Sequence, residues 1–173
     1  MMSQVFVSGH KSPDTDSIAA ALSYSYLKRR LGMDAVAVRA GEINKESRFA
    51  LDYFNLEEPM LVTSVARKNP EDEKQKVILV DHNESKQTID GMDDAEVLEI
   101  IDHHRFGDFE SENPIFILVR PVGCVNTVIY GLYKANHIKP SREIAGIMLS
   151  AIISDTVLFR SPTTTEEEKE TEK

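Results

Sequence analysis

Four short acidic and histidine-bearing segments carry most of the chemistry this chain offers: His10-Lys-Ser-Pro-Asp14-Thr-Asp16-Ser, Val80-Asp81-His82-Asn83, Asp102-His103-His104 and Ser154-Asp155-Thr156. Three of them close an apolar run. Carboxylates mixed with imidazoles and no thiolate suit Mn²⁺, with Co²⁺ or Mg²⁺ as substitutes, and argue against a tetrahedral structural zinc site. Asp14, Asp16, Asp81 and Asp155 supply four carboxylates, and His10 and His103 supply two imidazoles, with His104 beside them. That set exceeds one ion. Two ions about 3.5–4 Å apart clamp both sides of an in-line displacement at phosphorus, so hydrolysis of a phosphoester or phosphoanhydride is the matching reaction.

Each residue also has a plainer reading. Asp14 or Asp16 can cap a helix beginning near Ser17, and Asp81 alone can be a turn residue. Against this, three potential ligands within seven residues, with Pro13 between them, can be aimed at one point. Asp81 follows four consecutive apolar β-formers, where functional carboxylates sit in a doubly wound sheet. Adjacent histidines rarely both pack in a core, so one of His103 and His104 reads as a ligand and the other as facing substrate. His82 and His137 lack such context and read as ordinary surface or loop histidines. Ile144, Ile147, Met148, Ala151 and Ile152 form a packing stripe, after which Asp155 faces an unfavourable helix dipole that a cation would offset.

These residues need a scaffold, and the pattern supplies one. Val5–Val7, Ala35–Val38, Val77–Val80, Val97–Ile101 and Ile115–Val119 read as strands. Residues 17–31, 45–54, 125–135 and 142–153 read as helices, the first ended by Gly32 and the last started by Pro140-Ser141. Strands alternating with helices predict an α/β fold with a mainly parallel five-stranded sheet flanked by helices. Arg67 to Lys76, charged and containing Asn69-Pro70, reads as a surface loop. Beyond Pro162 the chain turns Thr- and Glu-rich, which predicts a frayed helix or disordered tail.

With 173 residues and 41% hydrophobic content, the chain suits one domain. Residues 1–160 are expected to form it, with 161–173 an acidic tail or linker. A net charge of −9 and no Trp argue against a nucleic-acid partner, although a metal pair would still draw in a small phosphate substrate. The lone Cys124 cannot form an internal disulfide and no signal peptide opens the chain, so a cytoplasmic location is expected. No apolar run approaches the ~18 residues of a membrane span, and no membrane partner is expected.

The Asp102-His103-His104 triplet with an upstream Pro-Asp-x-Asp-Ser resembles the DHH phosphoesterase superfamily. The segments Gly9 to Ser17, Val80 to Glu84, Pro121-Val-Gly-Cys124 and Leu149 to Thr163 resemble its family II, manganese-dependent inorganic pyrophosphatases. The resemblance covers nearly the whole chain, as far as Thr165. It implies His10, Asp14 and Asp81 on one metal and Asp16, Asp81, His103 and Asp155 on the other, with Asp81 bridging. It further implies that His104 contacts the phosphate and acts as general acid, that Asp102 orients the histidines, and that diphosphate is the substrate of a homodimer. The family's C-terminal domain, which grips phosphate with Lys and Arg, is absent from these 173 residues, so weak turnover is expected. The alternatives are another DHH phosphoesterase, acting on polyphosphate or short oligonucleotides, and a metal-binding or dimerisation module with little turnover.

Overall fold

The computed structural model describes residues 4–171. The strands are β1 (Val5–Ser8), β2 (Ala35–Arg39), β3 (Met60–Leu61), β4 (Lys76–Val80), β5 (Glu96–Asp102) and β6 (Phe116–Val119). The helices are α1 (Thr15–Arg30), α2 (Lys45–Tyr53), α3 (Val125–Ala135), α4 (Arg142–Asp155) and α5 (Glu166–Thr171). All strand pairs are parallel, in the order β3-β2-β1-β4-β5-β6. The sheet thus has six strands where five were expected. The extra one, β3, is two exposed residues whose pairing opposite Val38 and Arg39 leaves no apolar signature.

Val77, Ile78, Leu79 and Val80 of β4 are completely buried, as a central parallel strand covered on both faces must be. Ile78 and Val80 face a cluster with Val5, Val7 and Ile101 that takes in Ala20, Tyr24 and Leu27 of α1, Val128, Ile129 and Tyr133 of α3, and Ile144 and Met148 of α4. Val77 and Leu79 pack on the other face against Val38, Val65, Ile89 and Ile100. Helix α2 joins a further layer, where Ala50 and Leu51 meet Ile18, Cys124, Ile147 and Ala151.

Residues 166–171 depart from the composition-based expectation. Instead of fraying, α5 docks on the domain with Glu168 fully buried, while Arg120 makes a two-pronged contact with Glu167 at 2.7 and 2.8 Å. Five Glu in eight residues look uniformly solvated in a composition count. One of them, Glu168, instead accepts from the distant backbone of Gly123 and from nearby Thr165.

Candidate metal centre

The sheet order reverses between β1 and β4, and in an open α/β sheet the carboxyl ends of the strands at such a switch point are where ligands bind. The loop after β1 carries His10 and Asp14, and the first turn of α1 carries Asp16. The loop passes so close to α1 that a Cβ on Gly9 would lie 2.2 Å from Ser17 Oγ, the same hydroxyl that accepts from the His10 amide at 3.0 Å. Asp14 caps α1, accepting from Ser17 N at 2.9 Å, so its cap reading is correct, yet its half-exposed side chain also lies 3.6 Å from His10 Nε2. Asp81 leaves β4 with a left-handed φ of 62°, while its amide still donates to Ile101 O at 3.0 Å. Such a conformation is tolerated by Asp better than by most residues and is enriched at functional sites.

The predicted ligands converge. His10, Asp14 and Asp81 bring one donor atom each to within 4.8 Å of one another, and so do Asp16, His103 and Asp155; Asp81 also groups with Asp102, His103 and His104. Asp81 stands at the junction, with Oδ2 3.3 Å from His10 Nε2 and Oδ1 3.1 Å from His103 Nε2. His103 Nε2 is 3.5 Å from Asp16 Oδ2.

Ring orientation follows from the opposite edge of each imidazole. His10 Nδ1 lies 2.7 Å from Lys11 O and His103 Nδ1 2.9 Å from Val122 O. A carbonyl only accepts, so Nδ1 carries the proton and Nε2 of the neutral ring turns a lone pair toward Asp81. His104 Nδ1 is instead held by Asp102 Oδ1 at 2.8 Å, and its ring is half exposed. Asp102 is fully buried and also accepts from the His103 amide at 2.7 Å and from Asn83 Nδ2 at 2.7 Å. Asp102 therefore orients the His104 ring; the His103 ring is oriented by Val122.

The electrostatics show a cluster crowded with negative charge. Burial opposes a charged His10, but Asp14 and Asp81 outweigh it and push the imidazole up to about 11. His103 likewise rises to about 10 against burial, through Asp81 and Asp16. Asp81, despite burial, is held well below the usual carboxylate range by the two histidines. Burial and the adjacent Asp16 carboxylate drive Asp155 up to about 10, and burial with the Asp81 charge raises Asp16. The Asp102 hydrogen bond raises His104. Protons thus neutralise a site that cations would neutralise equally well. Asp81 Oδ2 is buried with no hydrogen-bond partner, the kind of acceptor a cation satisfies, and the all-oxygen and imidazole donor set fits a pair of hard divalent ions.

Several positioning residues escaped the sequence reading. Asp16 is held by Asn126 Nδ2 at 2.5 Å, Cys124 Sγ at 2.8 Å and Val125 N at 2.9 Å, where α3 begins. Asn83 ties Asp102 to the backbone of Arg105 and Gly107. His82, expected at the surface, is 1% exposed, with Nδ1 2.8 Å from Val80 O, and burial lowers it to about 4. The left-handed turn at Asp81 ends the strand's alternation, so periodicity could not reveal which way His82 points. His137 is exposed, as expected.

The chain is 53% identical over 167 residues to a Bacillus licheniformis protein named "Probable manganese-dependent inorganic pyrophosphatase", and 50% identical to an Exiguobacterium protein of the same name. Each alignment covers 96% of this chain and 52% of the relative, so the chain spans about half the length of the curated relatives it matches. The crystal structure of a Methanococcus jannaschii "putative family II inorganic pyrophosphatase" superposes with a TM-score of 0.85 at 41% identity, covering 97% of this chain and 54% of that one. A Bacteroides fragilis exopolyphosphatase-related protein shares the fold at 17% identity and a TM-score of 0.69. The family model described as "DHH family, N-terminal domain" matches residues 4–152, the span that holds the six strands and every predicted ligand except Asp155. By that match, and by the Asp102-His103-His104 triplet closing β5, the chain belongs to the DHH family.

Proposed function

We propose that this chain forms the metal-binding part of a manganese-dependent inorganic diphosphatase, an enzyme that converts diphosphate and water to two orthophosphates. The observation that carries the reading is Asp81, buried between the Nε2 atoms of His10 and His103 and shared by the His10–Asp14–Asp81 and Asp81–Asp102–His103–His104 donor groups. In this reading His10, Asp14 and Asp81 hold one Mn²⁺, and Asp16, Asp81, His103 and Asp155 hold the other. When bound, the two ions supply Lewis acidity on both sides of the displacement at phosphorus.

The chain's own residues do the rest. Asp102 fixes His104 and raises its proton affinity, so the half-exposed ring stays protonated nearer neutral pH and gives its proton to the leaving oxygen. Val122 and Lys11 keep the other two imidazoles aimed inward by holding their Nδ1 edges. Because the chain spans half of its relatives, metal binding and proton donation are all that is assigned to it.

The proposal extends to a cytoplasmic homodimer. A buried, unpaired Cys124 is compatible with a reducing compartment, and no helix among the described residues is long and apolar enough to cross a membrane. Strand β6 ends the sheet with Phe116 and Ile117 exposed, an edge suited to pairing with a second copy.

Orthophosphate release with Mn²⁺ from diphosphate, tripolyphosphate and a dinucleotide tests the substrate. Preference for diphosphate is expected. Preference for the dinucleotide would favour another phosphoesterase, and metal binding with no release from any of the three would leave a binding module.

A further inference from the structure

Glu168 is a fully buried charged residue outside the metal centre, and its carboxylate ties the 122–125 loop to the start of α5. Oε1 accepts from Gly123 N at 2.8 Å, and Oε2 accepts from Thr165 N at 2.6 Å and Thr165 Oγ1 at 2.5 Å. Gly123 is boxed in: an added Cβ would lie 3.1 Å from Thr156 Cγ2, 3.2 Å from Thr163 O and 3.5 Å from Glu168 Cδ. The loop therefore has little room to move while Glu168 holds it.

The residues around Gly123 are those that set the ligands of one donor group. Val122 O holds His103 Nδ1 at 2.9 Å, and Cys124 Sγ and Val125 N hold Asp16 at 2.8 and 2.9 Å. Thr156, against Gly123, is the residue after Asp155. All three members of the Asp16, His103 and Asp155 group are backed by this loop or abut it. The private ligands of the other group are held elsewhere, His10 by Lys11 O and Ser17 Oγ, and Asp14 by Ser17 N.

We infer that Glu168 is a positioning residue that pins the 122–125 loop and so sets the affinity of the Asp16–His103–Asp155 metal site selectively. The inference rests on the metal reading above and adds to it a dependence on α5. Partners behind metal ligands are worth about 10–100-fold in affinity. Acting through a loop, Glu168 is expected at the lower end of that range, about tenfold.

The test is calorimetric titration of the full chain with MnCl₂, comparing the unsubstituted protein with Glu168→Ala and the isosteric Glu168→Gln, each checked for a cooperative thermal transition. Two binding events are expected in the parent, with one weakened about tenfold and the other unchanged in the variants. If Glu168→Ala does not fold, Glu168→Gln decides, because it keeps the volume but removes the charge that strengthens the bond from Gly123 N, and one amide NH2 cannot accept from the donors the carboxylate satisfied. Equal weakening of both events, or no change in either, overturns the inference while leaving the metal centre intact. No Mn²⁺ binding by the parent overturns the metal reading and the inference with it.

Discussion

His103 Nε2 lies 3.1 Å from Asp81 Oδ1 across the ends of two neighbouring strands, the one atom a lone-pair donor when neutral and the other a buried carboxylate oxygen. Sheet register brings them near: Val80 pairs with Ile101, so Asp81 emerges beside Asp102 with His103 next in the chain, its ring aimed by Val122 O. The contact is an ion pair while His103 holds its proton. It becomes a pair of ligands once that proton leaves.

Metal binding is therefore expected to expel protons. His10 and His103, raised to about 11 and 10, are charged in the metal-free chain at neutral pH, and Asp155, raised to about 10, is neutral. All three must lose a proton to act as ligands, so Mn²⁺ affinity should rise with pH between 6 and 8. Calorimetry in buffers of different ionisation enthalpy measures the protons released. An affinity independent of pH contradicts this prediction.

The same shifts set the stability of the metal-free chain. The raised histidines contribute stability in full below their ordinary value of 6.5, and it is lost as pH rises through about 10 to 11. The depressed Asp81 works the other way: its contribution is present above 3.8 and is lost as pH falls through its lowered folded value. With EDTA present, a pH series of thermal melts should fall at both the alkaline and the acid ends. Asp81→Asn should flatten both limbs.

Asn126 is expected to matter for metal affinity although it belongs to none of the donor groups itself. Its amide donates to Asp16 at 2.5 Å and accepts from Ser23 Oγ at 2.9 Å, in full burial. Asn126→Ala should cost about 1–3 kcal/mol of stability from unmet buried partners and weaken Mn²⁺ binding by about 10–100-fold. Thermal melts and calorimetry read the two effects separately. Loss of stability with unaltered Mn²⁺ affinity would make Asn126 a packing residue only.

Much of this centre could be read from residue order, and what could not has a physical reason. Asp81 follows the apolar run Val77–Val80 and Asp102 follows Ile100-Ile101, and α3 spans Val125–Ala135 as the sequence suggests. The supports stayed hidden because their partners are remote in sequence: Asn126 and Asp16 lie 110 residues apart, and Glu168 and Gly123 lie 45 apart. Pattern within a segment reports which face is apolar. It does not report which Asn or Glu a distant backbone amide will claim.

His104 separates chemistry from metal retention. Its ring is held by Asp102, with Nδ1 3.8 Å from Asp81, and half of it is open to solvent. His104→Ala should lower diphosphate turnover by about 10²–10⁴-fold, the usual worth of a general acid, while both Mn²⁺ ions stay bound. Loss of a metal in that variant would move His104 into the ligand set.

The central claim is that one carboxylate, Asp81, joins two metal sites. Titration of the chain and its Asp81→Ala variant with MnCl₂ measures this most directly. The account predicts two ions per chain in the parent and loss of both in the variant, since each site would lose a ligand and His10 and His103 would lose their common anion. A single ion in the parent, or an Asp81→Ala variant that still binds two, would contradict it.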